Sequence, residues 1–173
     1  MKGFDPKFRD FPDYIIGITA EIWEGRGLTT LDAYYAPDVI MRMPLGIVRG
    51  NQAVIDGTLA TIAEFPDRQL LAEDVIWSGD GEAGFLSSHR IVSSGTHTGH
   101  GVYGPPTGRR MTIRAIADCA AKDNAIYDEW LVRDGSGLLI QLGLDAATFA
   151  RDQIVREGGP DKAARPFSPE ADV

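Results

Sequence analysis

The chain has 173 residues, 43% of them apolar and 24% charged, with a formal net charge of −8. That length supports one domain able to bury its own core, and the acid excess argues against nucleic acid or an anionic membrane as partner, since both demand a basic surface. A lone cysteine, Cys119, precludes an intrachain disulfide, and neither a signal-peptide-like apolar run nor a stretch of about 18 apolar residues occurs, so a cytoplasmic protein is expected.

Residues 1–10 are read as a loose arm, residues 11–157 as one domain, and residues 158–173, rich in Pro, Gly and charge, as a flexible tail. The spacing of Phe11, Ile15, Ile18 and Ile22 predicts an amphipathic helix ended by Gly25 and Gly27. A short helix over Thr29–Tyr35 follows, with Thr29 or Thr30 as N-cap and Pro37 blocking its continuation. Val39–Met43 reads as a strand and Pro44-Leu45-Gly46 as a turn into Ile47-Val48-Arg49. Asn51 then caps a third helix whose stripe is Val54, Leu59, Ile62 and Phe65.

Beyond Pro66 the period changes. Leu70–Trp77, Ala83–Val92, Arg109–Ala121 and Ala125–Val132 read as strands separated by Gly79-Asp80-Gly81, Gly104-Pro105-Pro106 and Lys122-Asp123-Asn124. One closing helix is expected over Leu138–Arg156. Helices first and a strand meander afterwards predict an α+β domain with helices on one face of a curved, mostly antiparallel sheet.

Several short pieces recur in a telling order: Tyr34-Tyr35-Ala36-Pro37-Asp38-Val39, Arg49-Gly50, Gly95-Thr96-His97-Thr98-Gly99, Pro106-Thr107-Gly108-Arg109, a strand ending in Trp130, and Gln141-Leu142-Gly143. Over roughly residues 11–145 this set resembles the SnoaL-like polyketide cyclase branch of the nuclear transport factor 2-like superfamily. The resemblance implies a cone-shaped roll, with three N-terminal helices packed on the concave face of the sheet and a pocket between them. It also implies frequent homodimerisation through the sheet and chemistry without a cofactor. In the polyketide cyclases an Asp serves as acid/base for an intramolecular aldol ring closure, and Asp118 is the match.

Strand parity complicates that match. Arg110, Thr112, Arg114, Ile116 and Asp118 share one face; Met111, Ile113, Ala115, Ala117 and Cys119 share the other. The apolar face should meet the core, so Asp118 enters the pocket only if a bulge shifts the register. Otherwise a salt bridge to Arg114 is expected. His89 and His97 are the candidate partners of Asp118, since imidazole titrates near neutrality. His97 and His100 have opposite parity and cannot both point into one cavity from a regular strand. The His-x-x-His spacing lacks an acidic residue at helical distance, so no metal site is assigned. Trp23, Tyr35, Met43, His100, Tyr103 and Trp130 are expected to contact substrate, and Cys119 to be an inert buried thiol.

No phosphate loop, dinucleotide fingerprint or nucleophile elbow appears. The leading expectation is a cofactor-independent lyase, isomerase or cyclase acting on a small hydrophobic carbonyl compound through Asp118 and a histidine. The alternatives are a hydrolase or dehydratase using the same pair, and a non-catalytic ligand-binding or dimeric domain of the same fold.

Overall fold

Helix α1 (Phe11–Trp23) starts where the Asp10 side chain accepts a hydrogen bond from the Asp13 N–H, with Pro12 in its first turn. Its buried stripe of Phe11, Ile15, Ile18 and Ile22 is the one predicted, joined by Tyr14. Helix α2 (Leu28–Tyr34) is capped by Gly27 without a side-chain bond, so neither Thr29 nor Thr30 is its N-cap. In α3 (Asn51–Glu64) the cap is Gly50, and the buried face carries Val54, Thr58 and Glu64. Leu59, assigned to that face by sequence, is exposed. The helix is rotated so that its small and polar residues face the sheet.

A computed structural model describes residues 1–162. Its six strands are β1 (Tyr35–Met43), β2 (Gly46–Arg49), β3 (Gln69–Asp80), β4 (Gly84–Thr96), β5 (Arg110–Lys122) and β6 (Ala125–Arg133), in the order β2-β1-β6-β5-β4-β3. Every pairing is antiparallel except β1 with β6. Helices α1–α3 pack over one face of this sheet, giving the α+β cone read from the sequence. No helix among the described residues is long and apolar enough to cross a membrane.

The β5–β6 hairpin turns through Asp123 and Asn124, both with positive φ, as a two-residue loop matched to strand twist requires. Asn124 also anchors the N-terminus: its Oδ1 accepts from the Asp5 N–H and its carbonyl from the Tyr14 hydroxyl. Phe4 and Phe8 are buried, edge-on to Tyr14. The arm read as loose is therefore tied to the core, because burying two aromatic side chains offsets the cost of ordering it.

The closing helix is two helices, α4 (Gly135–Leu142) and α5 (Ala146–Arg156). Gly143 breaks them in the left-handed conformation, and Asp145 caps α5 by accepting from the Thr148 N–H. Of the tail expected over 158–173, residues 163–173 lie outside the described residues.

Candidate functional site

Inward-facing side chains alternate along three neighbouring strands. Ser87, His89, Ile91 and Ser93 of β4 are buried, as are Ala115, Ala117 and Cys119 of β5 and Glu129 of β6. Pairing arranges them in rows: Ser87–Cys119–Glu129, His89–Ala117–Leu131 and Ile91–Ala115–Arg133. The middle member of each row is small. That leaves unfilled space above β5, and a cavity of about 370 Å3 occupies it. Ile18 and Ile22 of α1, Thr58 and Glu64 of α3, and Val102 and Tyr103 of the β4–β5 loop complete the wall.

Of the two carboxyl groups on the cavity wall, Glu64 and Glu129, the one carried by the sheet is Glu129. It is 5% exposed, and burial pushes its pKa up to about 7, with Asp128 adding to the rise. The Tyr35 hydroxyl donates to Glu129 Oε2 at 2.9 Å, which favours the ionised form and limits the shift. Burial and the adjacent Glu129 charge hold the Tyr35 phenol well above its usual range. The same two causes act on the Cys119 thiol, which therefore stays protonated and unreactive. A carboxyl poised near neutrality in an apolar chamber is suited to exchanging protons with carbon acids.

His89 also lines the cavity and is 1% exposed, with no hydrogen-bond partner for Nε2. Burial lowers its pKa, so the imidazole is neutral at pH 7. An orphaned buried donor or acceptor is costly, and one facing a cavity is satisfied by what the cavity holds.

Of the residues expected to contact substrate, Trp23, Tyr35, Met43, His100 and Tyr103 line the cavity. His97 does not. It is fully buried beneath the β4–β5 loop, stacked on Phe65, and its Nδ1 accepts from the Thr107 N–H at 3.3 Å. Nε2 lies 3.3 Å from Glu64 Oε1, without the alignment of a hydrogen bond. Glu64 in turn accepts from the Tyr103 N–H at 2.9 Å. The site assignment of His97 is thus corrected: it pins the loop that closes the cavity.

Asp118 stands on the opposite side of the sheet. The only irregularity between β5 and β6 falls between Ala120 and Ala121, two residues too late to turn it inward. Asp118 lies in an outer groove with Ile76, Trp77 and Trp130. It does not pair with Arg114, which binds Glu73 instead. Trp130 is directly opposite Asp118 across the β5–β6 ladder, so it too faces outward, over the Arg42 guanidinium at 4.8 Å. Both residues leave the cavity for one reason: neighbours in register share a face.

In the sequence, Glu129 is marked only by sharing a face with Leu131 and Arg133. The signal that could have selected it is its place opposite the small, inward-facing Cys119. Arg68, which also lines the cavity and is buried, sits in the turn after Pro66 and carries no periodic signal. No group of three or more His, Cys, Asp or Glu side chains disposed to hold a metal occurs among the described residues.

A family model described as SnoaL-like polyketide cyclase matches residues 14–142. Wild-type IdmH from Streptomyces antibioticus, a candidate polyketide cyclase, is 28% identical with a TM-score of 0.65, over 77% of this chain and 98% of that one. TsrD from Streptomyces laurentii is 23% identical, TM-score 0.65, over 76% and 93%. A SnoaL-like protein from Jannaschia sp. CCS1 superposes with a TM-score of 0.67 at 13% identity, over 78% and 92%, and speaks for the fold alone. No curated protein matches the chain.

Proposed function

Because the chain belongs to the SnoaL-like polyketide cyclase family, we propose that it is a cyclase or isomerase acting on a small, hydrophobic, polyketide-like carbonyl compound, with Glu129 as acid/base. The observation carrying this reading is the enclosed carboxyl of Glu129, hydrogen-bonded to Tyr35 and balanced near pH 7 by burial. In the proposed reaction the Glu129 carboxylate takes the proton from a carbon next to a carbonyl. The electron pair moves to that carbonyl oxygen, forming an enolate.

His89 is read as the donor that steadies this oxygen through Nε2. Two strand spacings and one pleat separate the Cα atoms of His89 and Glu129, about 12 Å, so a substrate fits between two inward-pointing side chains. For a cyclisation, the enolate carbon attacks a second carbonyl of the same molecule, one C–C bond forms, and the proton on Glu129 passes to the new alkoxide. For an isomerisation, the proton returns to another carbon of the dienolate. Each step uses groups of the chain itself, and electrostatic stabilisation of the enolate supplies most of the barrier reduction.

The test is solvent-deuterium uptake at the acidic carbon of a planar ketone such as 2-tetralone. The reading expects uptake catalysed by the wild-type chain and lost in Glu129→Gln. A non-catalytic binding domain, the alternative raised by the sequence, binds the ketone without accelerating exchange, and that result would reject the enzyme reading.

A further inference from the structure

The end of the cavity away from Glu129 carries two arginines. Arg133 projects from the inner face of β6 four residues beyond Glu129, and Arg68 reaches the same cavity from the turn before β3. Arg68 is 6% exposed; its Nε has no hydrogen-bond partner, and its guanidinium sits 5.4 Å over the Trp23 ring. The Arg133 side chain makes no ion pair or hydrogen bond among the described residues. Ser93, two residues along β4 from the Ile91–Ala115–Arg133 row, contributes a third group: its buried Oγ is likewise without a partner.

Glu64 is the other carboxylate on the wall, and it is occupied by the Tyr103 N–H and by its approach to His97. Two guanidinium groups thus share one chamber; Arg68 feels the Glu64 charge, but neither arginine makes an ion pair with it. Desolvating such groups is unfavourable unless an anion meets them. A guanidinium fork matches a carboxylate better than it matches a neutral carbonyl.

We propose that Arg68, Arg133 and Ser93 form a carboxylate subsite, and that the natural substrate is an elongated hydrophobic molecule bearing a carboxylate at this end. The four-residue step along β6 separates the Cα atoms of Glu129 and Arg133 by about 13 Å, a span on the scale of a fused-ring skeleton. The inference rests on the cavity being the substrate site but not on the role of Glu129. It adds a specificity element: an uncharged polyketide of equal shape leaves both arginines unpaired.

The experiment measures affinity of the full chain for anthracene-2-carboxylate and for its neutral isostere anthracene-2-carboxamide, by calorimetry and by quenching of tryptophan fluorescence. The subsite predicts that the carboxylate binds about tenfold tighter or more, as expected for charge-assisted hydrogen bonds. Arg133→Gln and Arg68→Met should each reduce that preference to about threefold or less, while Glu129→Gln keeps it. If Arg68→Met fails to fold, as a melting curve would show, Arg133→Gln decides, since Arg133 is only half-buried. Equal or tighter binding of the carboxamide, failure of both probes to bind up to their solubility limits, or a preference surviving in the foldable arginine variants overturns the subsite. Absence of the preference in the wild-type chain with Glu129-dependent deuterium uptake intact rejects this inference alone; the preference present with uptake independent of Glu129 rejects the proton-transfer reading alone.

Discussion

The hydroxyl of Tyr35, at the start of β1, donates to Glu129 Oε2 of β6 across 2.9 Å. These two strands are the one parallel pair in the sheet, and this contact between distant parts of the chain limits the rise that burial gives the cavity's carboxyl. Tyr35→Phe removes a bond that favours the ionised form and should move the Glu129 midpoint above its present value of about 7. The pH at which deuterium uptake becomes half-maximal should shift upward correspondingly, which a pH–rate profile checks.

Asp118 and Glu129 make opposite predictions. Glu129→Gln should lower catalysed exchange by about 10²- to 10⁴-fold, the usual worth of a positioned acid/base. Asp118→Asn, outside the cavity on the outer sheet face, should leave the rate within about twofold. A large loss in Asp118→Asn with activity retained in Glu129→Gln reverses the assignment.

Stability should report both cavity groups, with opposite signs. Glu129 binds its proton more tightly when folded than its ordinary value of 4.5 allows. Its contribution is therefore complete below about pH 4.5 and is lost as pH rises towards about 7, amounting to about 3 kcal/mol. Denaturant titrations should show Glu129→Gln gaining stability relative to wild type across that interval. His89 has a lowered affinity for its proton, so its contribution is present above about pH 6.5 and declines as pH falls. His89→Gln should weaken that acid sensitivity.

The outer sheet face carries Ile76, Leu86, Ile116 and Val132, the last 62% exposed. Exposed apolar side chains of this size on one sheet face suit an interface, and the prediction is that two copies of the chain meet there. Light scattering coupled to gel filtration should give a dimer for wild type and a monomer for Ile116→Lys/Val132→Lys. A monomeric wild type, or a dimer insensitive to both lysines, excludes this face as the interface.

Much of the fold is legible because its signals are periodic. The α1 stripe and the alternation along β5 need only spacing, and that alternation already puts Asp118 opposite the apolar face. What spacing does not contain is the partner across the ladder. The β6 sequence offers two faces, Glu129-Leu131-Arg133 and Asp128-Trp130-Val132, and a large aromatic ring favours an inward orientation for the face that carries it. The register Asp118↔Trp130 settles it the other way, and register is a property of paired strands. Arg68 is invisible for a related reason: a turn residue becomes a cavity wall only through how the chain packs around it. The N-terminal arm reads as loose because Phe4 and Phe8 are isolated in sequence and find Phe11, Tyr14 and Phe85 only in space.

Proton transfer by Glu129 is tested most directly by a ¹³C NMR titration of glutamate side-chain carboxyls, with Glu129→Gln identifying the resonance. The expected spectrum contains a carboxyl that titrates with a midpoint of about 7 and disappears in the variant. A Glu129 midpoint near the ordinary 4.5 would contradict the assignment, because a carboxyl fully ionised at neutral pH has too little proton affinity for the proposed chemistry.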